Sequence, residues 1–158
     1  MPPTITDRAR SLTRFDLSPR HRPPRAVVVL AVTALCVALS LLADELLARA
    51  GTAVFPGTRG YVHFQFGDYA KLTIIGVVAA GVGWPIVARL TSDPRWAFFR
   101  LAVAVTAVCL LPDLYIWLLG QPGRAVLVLV AMHLAIGLIT YNLLVRLAPV
   151  RPAPRKIR

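Results

Sequence analysis

The chain is poor in charge, in acid and in cysteine. Of its 158 residues only 16% are charged, well under the roughly 25% of an ordinary soluble domain. Hydrophobic residues make up 57%, which excludes a disordered chain. Two cysteines are too few for a disulfide scaffold or a cysteine-built zinc module. No Gly-rich phosphate loop, H-E-x-x-H or nucleophile elbow is present, so no catalytic residue and no cofactor are assigned. His21, His63 and His133 are too scattered in sequence for a metal site. Cys36 and Cys109 lack the C-x-x-C spacing of a redox pair and read as small core residues.

What the chain does have is long apolar runs. A membrane-crossing helix needs about 20 mostly apolar residues. Ala26 to Ala43, Leu72 to Ala88 and Ala125 to Val145 hold no charged side chain, and Leu101 to Leu119 holds only Asp113. None alternates strictly enough for a barrel strand, and lipid leaves backbone groups no outside partner, so the spans are helices. The expected fold is an all-α, integral-membrane four-helix up-and-down bundle. Its spans are set at 26–48, 70–90, 97–119 and 125–147, between a basic Pro/Arg-rich arm at 1–25 and a basic tail at 148–158.

Charge gives the orientation. The arm nets +4, the segment Arg89 to Arg100 nets +2, and the tail from Arg146 nets +5. The other two connections balance. The whole excess of +11 thus falls on one side, which the positive-inside rule makes cytoplasmic. Both termini are expected inside, in a bacterial plasma membrane. An excess of Arg over Lys, with abundant Ala, Val and Leu, fits a GC-rich bacterial genome. The basic excess is explained by topology and attraction to anionic inner-leaflet lipid, not by nucleic acid. The triplet Ala48-Arg49-Ala50 resembles a signal cleavage site, but Asp44 and Glu45 interrupt that region and an uncleaved first helix is expected. In the arm, Ile5, Ala9, Leu12 and Phe15 suit either a surface helix or a disordered segment.

The connection from about Ala50 to Tyr69 is the longest, and its centre is Tyr61-Val62-His63-Phe64-Gln65-Phe66. It reads as an interfacial segment or as a lid over the bundle. Thr91-Ser92-Asp93-Pro94 and Gly120-Gln121-Pro122-Gly123 read as tight turns. Trp84, Trp96 and Trp117 near span ends read as interfacial anchors.

Each span carries a small or polar stripe: Thr33, Cys36, Ser40 and Asp44; Thr73, Gly76, Ala80, Gly83 and Val87; Thr106, Cys109 and Asp113; His133, Gly137, Thr140 and Tyr141. Such stripes mark helix–helix seams in lipid. Asp113 and His133 stand out. Asp113 is about 9 Å below the end of its span and His133 about 12 Å below the start of the next. A short turn makes the two helices neighbours, so carboxylate and imidazole are expected to pair as a proton or ligand site. The competing reading is a polar contact that only locks two helices. Asp44, Glu45 and Lys71 are candidates for an outer polar vestibule or for solvated helix ends.

Gly83-Trp84, the turn to Trp96, Leu111-Pro112 and Met132-His133 together resemble an uncharacterised actinobacterial family of small four-span membrane proteins. The resemblance covers roughly Gly76 to Leu147. It implies the architecture and no activity. Two functions are expected. The first is a non-enzymatic accessory or scaffold subunit of a plasma-membrane complex, with a membrane-protein partner or as a homodimer. The second is a small proton- or cation-coupled transporter using Asp113 and His133. An enzyme acting on lipid head groups is a weaker third reading.

Overall fold

The computed structural model describes residues 21–152. The segment with Ile5 to Phe15 and the end of the basic tail lie outside these residues. Four helices follow one another: α1 (Ala26–Val54), α2 (Phe66–Leu90), α3 (Pro94–Leu118) and α4 (Gly123–Leu147). All four are long and apolar enough to cross a membrane. At 25 residues, α2, α3 and α4 reach about 37 Å, more than the roughly 30 Å hydrocarbon core. The chain is a four-helix all-α membrane bundle.

The turns are where the composition puts them. Asp93 caps α3, accepting from the Trp96 N–H at 3.3 Å, and Pro94 follows in the first helical turn, where its missing N–H costs nothing. Gly120 takes φ +87° in the turn before α4, a backbone conformation that glycine adopts without steric cost. The Ala48-Arg49-Ala50 triplet lies within unbroken α1, and both Ala48 and Gly51 are buried. Short 3-10 turns at Pro56–Thr58 and Val62–Phe64 occupy the long connection. We call this end of the bundle the loop end.

Helix α4 is the hub, packing on α1 along its length and on α3 through the hairpin, while α2 and α3 make the sparser seam. One apolar cluster, with Val29, Cys36, Trp84 and Leu144, fills the half near the chain ends. A second, around Tyr69, Leu129 and Met132, fills the loop half, and Tyr61 and Phe64 pack against it. The aromatic connection therefore folds back over the bundle as a lid. Beyond the first cluster, β1 (His21–Arg22) pairs antiparallel with β2 (Arg151–Pro152). The Arg151 guanidinium also donates to the Pro23 carbonyl at 3.0 Å.

Several expectations about faces need correction. In α2 the buried face is Tyr69, Ala70, Thr73, Val77, Gly81, Trp84 and Ala88. Of the expected stripe only Thr73 is buried. The small residues misled because the true seam is set by a single close approach: a Cβ at Gly81 would stand 2.3 Å from Thr33 Oγ1 and 3.1 Å from Thr33 Cβ. Trp84 is no interfacial anchor. It is wholly buried, packs at a tilt against the Phe98 ring and donates from Nε1 to the Ala148 carbonyl at 2.7 Å, which satisfies the buried indole. Cys36 is core as expected, but Cys109 is exposed. Helix α3 buries only Pro94, Ala97, Phe98 and Asp113, leaving an apolar flank that suits lipid and not water.

Gly81→Ala is expected to destabilise the bundle by about 1–3 kcal/mol, because all of Thr33 must move. Gly83→Ala, where nothing lies within 4 Å of the added Cβ, is expected to be neutral or stabilising. Thermal unfolding of both variants in one detergent checks the contrast.

Candidate functional site

The site begins with the register of α1. Cys36, Ser40 and Asp44 recur every four residues, so they share one face, and all three have no exposed surface. Asp44 is thereby carried inside the bundle, where a charged group is costly unless partnered. One carboxylate oxygen accepts from the Thr73 hydroxyl of α2 at 2.8 Å. The other, Oδ1, has no hydrogen-bond partner.

Asp113 arrives from the opposite side. Pro112 stands inside α3 just before it, and proline removes one helical hydrogen bond there. The Asp113 side chain is only 7% exposed, and its Oδ2 lies 2.9 Å from His133 Nδ1 of α4. The same nitrogen lies 3.0 Å from the Leu129 carbonyl. Nδ1 thus stands between two oxygen acceptors and can donate its proton to only one of them at a time. The sequence placed these two side chains at matched depth, and the structure brings them into contact. His133 is also within electrostatic reach of Asp44.

All three groups line one cavity of about 610 Å³ in the loop half of the bundle. Its inner wall is Leu129, Met132 and Ile136 of α4 with Tyr69 and Thr73 of α2, and no lysine or arginine lines it. Near its loop-end mouth His63 and Asp68 approach to 3.5 Å, both about half exposed. The composition of the site is thus two buried carboxylates and one imidazole. With every group ionised it would hold one net negative charge in a medium of low dielectric. One proton or one external cation restores neutrality. Among the described residues no three His, Cys, Asp or Glu side chains group closely enough to hold a metal ion.

The other vestibule candidates sit elsewhere. Glu45 accepts from the Tyr69 hydroxyl and pairs with Arg49 at 2.6 Å on the helix surface. Lys71 is exposed, and neither it nor Glu45 lines the cavity. Tyr61, which sequence reasoning had only as an aromatic, packs against the cluster of Tyr69, Leu129 and Met132 beside the site. Its ring meets those of His63 and Phe64 edge-on at 5.3 Å. Its hydroxyl is buried without a hydrogen-bond partner. Burial, and then the nearby Asp113 carboxylate, raise the phenol above its ordinary ionisation range.

A family model described as Family of unknown function (DUF6069) matches residues 17–149. The match spans most of the chain, and the chain belongs to that family. No curated protein matches, and neither does any solved structure.

The Tyr61 phenol is favoured in its neutral form, so alkaline titration is expected to ionise it only above the usual tyrosine range. Asp113→Asn removes one of the two causes and is expected to lower the midpoint while leaving it elevated, since burial persists. The ultraviolet difference between each protein and its Tyr61→Phe counterpart checks both.

Proposed function

We propose that this member of the DUF6069 family is a small proton- or cation-coupled carrier whose exchange site is Asp113, His133 and Asp44. The carrying observation is the charge composition of the cavity. Side chains from α1, α3 and α4 put two carboxylates and one imidazole on a space lined by no basic residue of fixed charge. A purely structural lock would be expected to satisfy its polar atoms. Here Asp44 Oδ1 has no hydrogen-bond partner, and Asp113 Oδ2 has only the His133 imidazole at 2.9 Å, an arrangement receptive to a proton or a positive group. Intramembrane ionisable residues facing a cavity are the usual elements of proton relays and ion paths.

We place the protein in a bacterial plasma membrane with both chain ends in the cytoplasm and the loop end outside. Support comes from the described arginines at the ends of the helices. Arg22, Arg25, Arg89, Arg95, Arg146 and Arg151 fall at the end opposite the aromatic lid, against Arg49, Arg59 and Arg124 at the loop end; this excess is the pattern of cytoplasmic flanks, where anionic lipid would attract them. The cavity then faces the outer leaflet. A Tyr61 lid above it gives the proton a gated route by way of His63 and Asp68. The accessory-subunit reading ranks second. Its support is the uncovered flank of α3, which a partner helix or second copy would fit and lipid fits equally. A mild-detergent pull-down that recovered only the protein itself would count against it.

In proteoliposomes carrying an internal pH dye, Asp113→Asn and His133→Ala are each expected to reduce cation-driven proton flux at least tenfold. Asp44→Asn is expected to do the same while keeping or raising thermal stability, because the amide preserves the Thr73 contact and removes a buried charge. Flux unchanged in all three variants would end the carrier reading.

A further inference from the structure

The cavity lining also reaches the outer flank of the bundle between α2 and α3, a second mouth on its side. Helices α2 and α3 are joined by a three-residue turn at the arginine-rich end and pack sparsely on each other. Between them the cavity is lined by Leu72, Ile75 and Gly76 on one lip and Cys109 and Pro112 on the other. Every one of these five is exposed at the bundle surface, so the lips are reached from the side. Leu72 and Ile75 are 72% and 66% exposed. A side chain at Gly76 would meet nothing within 4 Å, so that point of the lip is open space. On the far side the cavity is closed by buried Leu129 and Met132, and the lid narrows the top.

We propose that the site takes an amphiphilic organic cation that enters sideways from the bilayer between α2 and α3. This deepens the carrier reading and rests on it. The chemistry follows from the lining. The lips and most of the wall are aliphatic, which suits hydrocarbon or aryl groups, while the floor holds the Asp44 and Asp113 carboxylates. A volume of about 610 Å³ is within the roughly 300–1,000 Å³ of drug-sized ligand sites. A small hydrated ion would have to leave its water to enter between aliphatic lips. A lipophilic cation is already concentrated in the bilayer and meets the Asp44 and Asp113 carboxylates inside. As its positive group settles beside the carboxylates, the proton held by the site leaves toward the His63–Asp68 mouth, and net charge is conserved. The two mouths thus divide the traffic: lipid side for the cation, loop side for the proton.

The test uses the full-length protein in phosphatidylcholine nanodiscs, with tetraphenylphosphonium as probe. Tetramethylammonium supplies the same charge without the apolar groups, and triphenylphosphine oxide supplies those groups without the charge. Equilibrium dialysis is expected to show tetraphenylphosphonium bound at least tenfold tighter than either control, with about one proton released per cation bound. Gly76→Leu is expected to weaken binding at least tenfold while the histidine proton resonance of His133 titrates as in the parent. Asp113→Asn is expected to lose both the binding and the release. If Gly76→Leu binds like the parent, sideways entry is wrong. If the probe binds no better than its controls, the substrate class is wrong, and proton flux driven by a small cation in the vesicle assay then preserves the carrier reading alone. If Asp113→Asn changes neither binding nor proton release, the carrier reading and this inference both fall.

Discussion

A carboxylate withdrawn from water without a full complement of partners governs the loop half of this bundle. Asp44 has no exposed surface, one hydroxyl donor and one oxygen left over. Nothing of fixed positive charge lines the space around it. An isolated buried charge costs several kcal/mol even after relaxation, so the group must share its charge, give it up, or find a cation. Asp113 stands in the same predicament, eased by the imidazole 2.9 Å away. The proton and cation chemistry proposed for the cavity rests on that shared deficit.

The rest of the architecture keeps that deficit in place. The half near the chain ends is packed without polar compromise around Trp84 and Leu144. The Trp84–Ala148 hydrogen bond fixes α2 against the exit of α4. Gly51, where a Cβ would fall 2.7 Å from a Val128 methyl carbon, holds α1 and α4 close beside the cavity. By comparison, α2 and α3 pack sparsely on each other.

Much of this was legible in the sequence. Four charge-poor runs fixed the helices, because lipid permits no other solution for the backbone. The Gly120–Gly123 turn implied that α3 and α4 are neighbours, and depth counting matched Asp113 with His133. Faces were harder. In α2, Gly76 and Gly83 looked like seam residues, yet Gly81 makes the close contact. Small size permits contact on any face, and only the partner Thr33 decides which face is used. Trp84 looked like an anchor because tryptophan favours the interface, but a single carbonyl at Ala148 was enough to draw the indole inside. Asp44 looked like a helix end because the apolar run stops there. Its burial follows the inward stripe of Cys36, Ser40 and Asp44, which was legible at four-residue spacing. The lid was open between two readings until Tyr61 and Phe64 were seen packed on Leu129 and Met132.

The pairing of His21–Arg22 with Arg151–Pro152 gives the four-span unit the topology of a clasped necklace. The first and last described segments leave at one corner, side by side. Whatever grips one strap therefore tugs the other, and also the Ala148 carbonyl that anchors Trp84.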